Sequence, residues 1–405
     1  MMANVSSSNG QKVNVPKLRF PGFEGEYVEF RIEEIYAERS ERGEPEKELL
    51  SVTQSDGVVP RSEIDGKNNA SEDRSNYKVV RVGDMVYNSM RMWQGANGIS
   101  PLDGIVSPAY TVLCPRAEIV NGYFAVLFKT PGLINEFRKN SQGLTSDTWN
   151  LKYPQISRIR VYIPSVQEQR KIAGLLSRLD ARIEAQRQLV ETLKKYKRGF
   201  ISDIFSQKLT VTHKAEKWEE VSLCDVAEGF EYGMNAAATT FDGVHKYIRI
   251  TDIDDDSHTY IDADPVSPSG VLEEKYRVRE NDILFARTGA SVGKSYLCRE
   301  SNGDLFFAGF LIRIHVKDGI DSGYVFLNTL TAEYDKWVLL ESARSGQPGI
   351  NAEQYRQYRF KLPSLKTQRR ISELSKKLDT QIQNETQYLC LLQKQKLGLL
   401  QQLFI

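Results

Sequence analysis

Cysteine and histidine are scarce in this chain, with only four of each in 405 residues. Cys114, Cys224, Cys298 and Cys390 lie far apart, and no Cys-x-x-Cys or nearby histidine completes a ligand set. Neither a zinc site nor a disulfide framework is therefore indicated. His213, His245, His258 and His315 are scattered and read as structural. Long apolar runs are missing as well. None reaches the ~20 residues of a membrane span. Residues Met1 to Gly10 are polar and lack the apolar stretch of a secretory signal. A reduced, cytoplasmic setting follows as the expectation. Net charge is nearly absent, with 54 Lys and Arg against 53 Asp and Glu. Any attraction to a polyanion must then be local. No nucleophile–base pair and no carboxylate–lysine cluster of nuclease type is found, so no catalysis is expected of the chain.

What the sequence does contain is a repeat. Ile163-Pro164-Ser165-Val166-Gln167-Glu168-Gln169-Arg170-Lys171-Ile172 runs on to Phe205. Leu362-Pro363-Ser364-Leu365-Lys366-Thr367-Gln368-Arg369-Arg370-Ile371 runs on to Phe404. Adding 199 carries Gln169 to Gln368, Leu179-Asp180 to Leu378-Asp379 and Phe205 to Phe404 without a gap. Such self-similarity marks a duplicated unit. Both copies read as long helices that start after a proline, with Ser165 and Ser364 placed to cap the first N–H groups. Their apolar residues step by three and four: Ile172, Leu176, Leu179, Ile183, Val190, Leu193, Phe200 and Ile204, then Ile371, Leu378, Ile382, Leu389, Leu392, Leu399 and Leu403. That seam calls for a partner helix, and the two copies can serve each other as an antiparallel coiled coil. Charges on the first helix include Arg170, Lys171, Arg178 and Arg182 and read as a solvated face.

Polar residues interrupt the seam at Gln186 and Lys197 and again at Glu385 and Lys396. A lone polar residue against leucine is costly unless paired. A register setting Lys197 opposite Glu385 and Gln186 opposite Lys396 pairs all four and is the expected one. Sliding by a heptad overlaps the helices more fully but leaves Glu385 facing Val190 and Lys197 facing Leu378.

The helices at 165–205 and 364–405 frame two segments of similar size, 1–164 and 206–363, with residues 1 to about 14 a disordered tail. Each segment reads as a mixed α/β domain. Tyr27 to Ile35 and Trp218 to Val226 predict a short strand and a short helix. Val82-Gly83-Asp84-Met85-Val86-Tyr87-Asn88 and Glu280-Asn281-Asp282-Ile283-Leu284-Phe285-Ala286 predict a turn feeding a buried strand. Ile105–Leu113 and Phe306–Ile314 are strand-like, and Tyr123–Phe137 and Tyr324–Leu340 are helical. Polar loops follow at Ser141–Asn150 and Ser345–Asn351. A last strand, Ile159–Ile163 or Tyr358–Leu362, enters each long helix. The fold class is α+β, two similar mixed α/β domains separated by the helix pair, with internal pseudo-twofold symmetry.

Three stretches imitate known chemistry. Gly289-Ala290-Ser291-Val292-Gly293-Lys294-Ser295 resembles a phosphate-binding P-loop, but only three residues separate its glycines and a strand is predicted where a helix must begin. Ser107-Pro108-Ala109-Tyr110 lacks the Asn or Asp and the second proline of amino-methyltransferases. Asp254-Asp255-Asp256 reads as a solvated acidic loop without a ligand set. No metal site is assigned.

The chain resembles the specificity subunit of a type I restriction–modification system. The resemblance rests on the opening Val15-Pro16-Lys17-Leu18-Arg19-Phe20-Pro21-Gly22-Phe23, the two Asp84/Asp282 turn–strand units and the two Pro-Ser-x-x-x-Gln-Arg helix starts. The second half lacks the Leu-Arg-Phe-Pro-Gly-Phe opening. The resemblance implies two target-recognition domains, each reading half of a bipartite site in double-stranded DNA. It implies that the helix pair sets the half-site spacing and docks two modification (methyltransferase) subunits, with two ATP-driven restriction subunits joining them. The methyl donor, ATP and Mg would then belong to those partners, and no cofactor to this chain. Base reading needs donors and planar side chains on loops. The candidates are Asn88, Ser89, Arg91, Trp93, Gln94, Ser141, Gln142 and Thr145 in the first domain. In the second they are Arg287, Thr288, Ser291, Lys294, Arg344, Ser345 and Gln347. Two other readings compete: an NTPase built on the Gly289 loop, and a coiled-coil adapter with no DNA role.

Overall fold

A computed structural model of the chain describes residues 3–4, 14–64, 71, 73–145, 148–212, 216–299, 302–343 and 348–405. Most of the expected tail, together with His213, lies outside the described residues. The chain divides into two compact units, Met1–Arg187 with Gln387–Ile405, and Gln188–Thr386. Each unit therefore holds the start of one long helix and the end of the other.

In the first unit, β1 (Ala3–Asn4) pairs with β2 (Leu18–Arg19). There follow β3 (Val28–Arg31), α1 (Ile32–Ile35), β4 (Tyr36–Glu38), β5 (Leu50–Thr53), β6 (Gly57–Pro60) and β7 (Lys78–Val80). Next come β8 (Met85–Asn88), β9 (Asn97–Ile99), β10 (Gly104–Val106), β11 (Tyr110–Pro115), α2 (Asn121–Leu127), α3 (Pro131–Asn140) and α4 (Tyr153–Ile156). β12 (Arg160–Ile163) leads into α5 (Val166–Phe205).

The second unit repeats this order with β13 (Glu219–Ser222), α6 (Leu223–Val226), β14 (Ala227–Tyr232), β15 (Ala238–Thr240), β16 (Lys246–Ile248) and β17 (Val266–Pro268). Then come β18 (Asp282–Ala286), β19 (Ser295–Leu297), β20 (Leu305–Phe307), β21 (Leu311–Val316), α7 (Ser322–Asn328), α8 (Ala332–Ser342) and α9 (Ala352–Arg356). β22 (Arg359–Leu362) and α10 (Leu365–Leu403) close the chain.

The shared frame is an antiparallel four-stranded sheet, ordered β4-β11-β8-β9 in one unit and β14-β21-β18-β19 in the other. A second pair, β3 with β12 or β13 with β22, returns the chain to its long helix. Where the units diverge is the pairing of the strands outside that sheet. β7 and β10 pair antiparallel, whereas β16 and β20 pair parallel.

The turn before each central strand is held by its aspartate. The Asp84 carboxylate accepts the Arg81 N–H at 2.8 Å and two Arg39 donors at 2.7 and 3.1 Å. The Asp282 carboxylate accepts the Arg279 N–H at 2.8 Å and faces His315 Nδ1 at 2.7 Å. Both side chains are buried, and a buried carboxylate needs such partners. Burial raises the pKa of Asp282 from its ordinary value, against the lowering effect of the Arg279 N–H and His315.

Two expectations about element boundaries are corrected. The strand-like runs 105–113 and 306–314 are each two strands serving different sheets. Pro108, which has no N–H, and Gly309 mark the breaks. The helical runs 123–137 and 324–340 are each two helices. Pro131 at the first position of α3 opens one, and the Thr331 side chain, accepting the Tyr334 N–H, opens the other.

The repeated glutamine explains the helix starts. Gln169 donates to the Pro164 carbonyl at 3.0 Å and accepts the Val120 N–H at 3.1 Å. Gln368 repeats both bonds, with Pro363 at 2.8 Å and the Asp321 N–H at 2.9 Å. One buried side chain thus ties the start of each long helix to the N-terminus of α2 or of α7. The Ser165 hydroxyl accepts the Glu168 N–H, as a cap does, but Ser364 donates to Thr367 instead. Position 168 distinguishes the units. Glu168 forms a buried ion pair with Arg19 of the opening segment, at 2.8 and 2.9 Å. Its repeat counterpart Thr367 donates to Glu216 at 2.6 Å.

The long helices pack together, and within each unit they run antiparallel. Every seam residue named above is buried or half-buried. The register differs from the expected one. Lys197 pairs with Asp379 in the second unit, and its repeat counterpart Lys396 pairs with Asp180 in the first. Asp379 lies six residues, about 9 Å of helix, from Glu385. It stands next to Leu378, so the helices adopt the register of fuller overlap. Both lysines run their stems along the seam and reach the aspartate beside the leucine, which removes the polar penalty. The aspartates are more than a third exposed. Asp180→Asn or Asp379→Asn is accordingly expected to cost only roughly 0.2–1 kcal/mol in urea unfolding. A loss above about 2 kcal/mol would make these pairs, and not the apolar seam, the determinant of register.

Candidate nucleic-acid interface

In the first unit the loop after β8 and the loop after α3 come together. The Trp93 ring meets Trp149 edge-on, with centroids 5.2 Å apart, and its Nε1 donates to the Met90 carbonyl at 3.1 Å. Arg138 of α3 lies over Trp149 at 5.5 Å. Arg91 is exposed, and its guanidinium has no hydrogen bond or ion pair among the described residues. Gln94 is half-buried beside it; Gln142 and Thr145 are exposed. Thr145 is held in a turn by Thr148, and Gln142 bridges Asn150 through its backbone. Asn88 ends β8, and its side chain accepts the Met90 N–H.

Two candidates point inward and serve the fold. Ser89 is buried, its hydroxyl bonded to Thr111 at 2.8 Å. Ser141 donates to the Phe137 carbonyl at the end of α3. Arg138 and Trp149 were missed by the sequence reading. A tryptophan inside a Gly/Ser/Gln loop was the available signal for the second.

The second unit joins its corresponding loops by backbone. Ile350 donates to the Arg287 carbonyl at 2.9 Å, Gly289 donates to Pro348 at 3.2 Å, and Thr288 bridges Gly349. Arg344, Ser345 and Gln347 lie outside the described residues, as does Ser146 in the first unit. Arg287 is half-buried between the rings of Tyr232 and Phe310. Neither ring was singled out from sequence, because Phe310 sits in a run that reads as continuous strand. Lys294 is engaged within its own unit, donating to the Ile253 carbonyl at 3.0 Å and pairing with Asp255. The Ser291 carbonyl accepts the Lys294 N–H. Residues 295–297 are a strand, so the Gly289 loop has no helix N-terminus to hold phosphate. Among the described residues no three His, Cys, Asp or Glu side chains gather as a metal site, and no helix is long and apolar enough to cross a membrane.

These loops sit on a frame used twice, and comparison with known proteins matches both halves separately. A sequence model of the type I restriction modification DNA specificity domain fits residues 25–195 and again 215–393. The chain belongs to this family.

Among curated specificity proteins it is 26% identical over 295 residues to the type I restriction enzyme StySPI specificity subunit of Salmonella potsdam. It is 22% identical over 292 residues to the EcoKI specificity subunit of Escherichia coli strain K12. Each alignment covers 66% of this chain and 61% of the relative, so the match spans about three-fifths of the length of those proteins. In structure it resembles the type I restriction–modification S subunit from M. genitalium, with TM-score 0.58, 14% identity and coverage of 96% and 99% of the two chains. It also resembles a chain from work on complex assembly and conformational transition of the type I R-M system, with TM-score 0.57, 16% identity and coverage of 92% and 96%. The fold of a specificity subunit, two α/β domains each followed by a long helix, is thus the fold of this chain.

Within the family frame, the repeated parts are the aspartate-held turns, the glutamine-clamped helix starts and the four-stranded sheets. The parts that differ between the units are the strand pairs outside those sheets and the loops at the sheet ends. A recognition protein has to vary its loops while keeping its scaffold.

Proposed function

We propose that this chain is the DNA specificity subunit of a type I restriction–modification complex. Each unit reads one half of a bipartite site in double-stranded DNA, and the chain performs no catalysis of its own. The observation that carries this reading is one sheet-and-helix frame used twice, with a different polar and aromatic loop cluster on each copy. Arg91, Gln94 and Gln142, beside the Trp93–Trp149 pair, supply donors and planar surface in the first unit. Arg287 and Thr288 do so in the second. Arginine forks onto guanine, glutamine onto adenine, and aromatic faces pack against bases. With a net charge near zero, phosphate attraction is local, and loop geometry carries the selectivity.

Two modification subunits fit a chain that presents the same helix start twice, and they would bring the methyl donor. Restriction subunits, with ATP and Mg, would join that assembly. The helix pair would act as the ruler between half-sites. Co-expression of this chain with its modification subunit is expected to yield adenine methylation at a two-part motif with a gap of fixed length. Inserting one heptad into each helix, about 10 Å of rise, should widen that gap by about three base pairs at 3.4 Å each. Mapping methylated positions by sequencing checks both points. An unchanged gap would reject the ruler, and absence of any motif would reject the specificity reading.

A further inference from the structure

One end of the second unit's sheet carries a cluster that the first unit lacks. Tyr232 closes β14, Arg287 follows β18 and Phe310 precedes β21. These strands are neighbours in the order β14-β21-β18, so the three side chains arise side by side. The Arg287 guanidinium lies 5.0 Å from the Tyr232 ring centroid and 6.0 Å from that of Phe310. Its backbone is pinned on both sides, donating to the Phe310 carbonyl at 3.0 Å and accepting the Ile350 N–H at 2.9 Å. The Tyr232 hydroxyl accepts the Ala352 N–H at 3.1 Å, which fixes that ring. Arg287 Nε is buried without a hydrogen-bond partner, and the side chain has no ion pair among the described residues. Both rings nevertheless open to solvent, Phe310 at 60% and Tyr232 at 43% exposure.

The fold does not require this cluster. In the first unit the residue after β8 is Ser89, buried against Thr111, and the residue before β11 is Ala109. At these two positions the first unit has neither arginine nor aromatic ring; its Arg91 and Trp93 stand further along the loop after β8. An arginine held against two solvent-open rings, with no side-chain hydrogen bond or ion pair among the described residues, is suited to a planar acceptor pair. An arginine fork also fits a phosphate, but a phosphate contact carries no sequence information, and this cluster stands on a part of the frame that differs between the units. A guanine edge, with O6 and N7 side by side, needs a fork held in plane.

We propose that Arg287 reads a guanine in the half-site of the second unit, forking onto O6 and N7 in the major groove, and that Tyr232 and Phe310 are its positioning residues. This inference rests on the DNA-specificity reading above and adds the base and the residues that select it. A guanine contact of this kind discriminates by roughly 10- to 100-fold against other bases.

The test is selection from a randomised DNA duplex pool by the full chain assembled with its modification subunit. Wild type, Arg287→Ala, Arg287→Lys and Phe310→Ala are compared. The wild type should enrich a two-part motif with a required guanine in one part. Arg287→Ala and Arg287→Lys should both relax that base pair alone and leave the other half-site as selective as before, which also certifies the fold. Phe310→Ala should weaken selection at the same base by a smaller factor. If Arg287→Ala lowers binding to all sequences alike, Arg287 serves a phosphate and the inference is overturned while the specificity reading stands; if Arg287→Lys keeps the guanine requirement in full, the ring-held fork is not what selects the base and the positioning role of Tyr232 and Phe310 is overturned. If the wild type enriches no motif, both fall.

Discussion

Replacing Arg19 by methionine is expected to destabilise the first unit by about 3–5 kcal/mol, the usual cost of stripping one partner from a buried ion pair. Glu168 is 1% exposed. It accepts two Arg19 donors at 2.8 and 2.9 Å, with the Tyr27 hydroxyl at 3.4 Å as a further donor. Tyr27 in turn lies under the Arg19 guanidinium at 5.3 Å. Burial and the nearby Glu168 charge both raise the Tyr27 pKa, so its phenol stays a neutral donor. Without Arg19, the Glu168 carboxylate would keep only this long contact and would have to take up a proton or open the core to water. The double variant Arg19→Met with Glu168→Leu should recover most of the loss, since apolar groups of similar volume remove the desolvation penalty on both sides. Urea unfolding, with hydrogen exchange resolved on each unit, reads the result. The second unit, where Thr367 and Glu216 occupy the equivalent place, should be unaffected. A single variant costing under about 1 kcal/mol would mean that the pair is solvated like a surface salt bridge.

The second large effect is expected just past the end of α10. Phe404 is 8% exposed and stacks on Tyr123 with centroids 5.2 Å apart and an interplanar angle of 28°. It belongs to the first unit's core with Leu403, Ile172 and Leu176. Phe404→Ala should cost about 3–5 kcal/mol, the transfer of the ring plus the cavity it leaves. The repeat offers an internal control. Phe205 meets Tyr324 in the second unit at 5.3 Å and 36° but is only half-buried. Phe205→Ala should cost clearly less, because part of its ring already faces water and the site can drain. Equal losses at the two positions would mean that exposure is not what sets the cost.

Much of this protein could be read without coordinates. The duplication, the two long helices and the aspartate turns follow from local rules: spacing, capping residues and periodicity. Gln169 and Gln368 stood out as a matched pair, and the structure supplies their reason, a clamp between a carbonyl before the helix and the N-cap N–H of α2 or α7. The failed P-loop was also legible, since three residues between glycines and a strand-like Tyr296-Leu297-Cys298 already ruled out a helix N-terminus.

What the sequence by itself determined was therefore which segments form elements and which face of each is apolar. The tertiary structure decided which side chains meet. Ser89 and Lys294 lie on loops rich in donors, yet Thr111, Asp255 and the Ile253 carbonyl occupy them. Phe310 sits in a run of strand-forming residues, yet the break at Ala308-Gly309 leaves its ring beside Arg287 and in solvent. The helix register turned on the same point. Lone polar residues in the seam argued for pairing lysine with glutamate, but an aspartate one position from the seam, within reach of a flexible lysine stem, let apolar overlap choose instead. Periodicity reports the face of a single element; contacts between elements depend on packing over distances that no local pattern encodes.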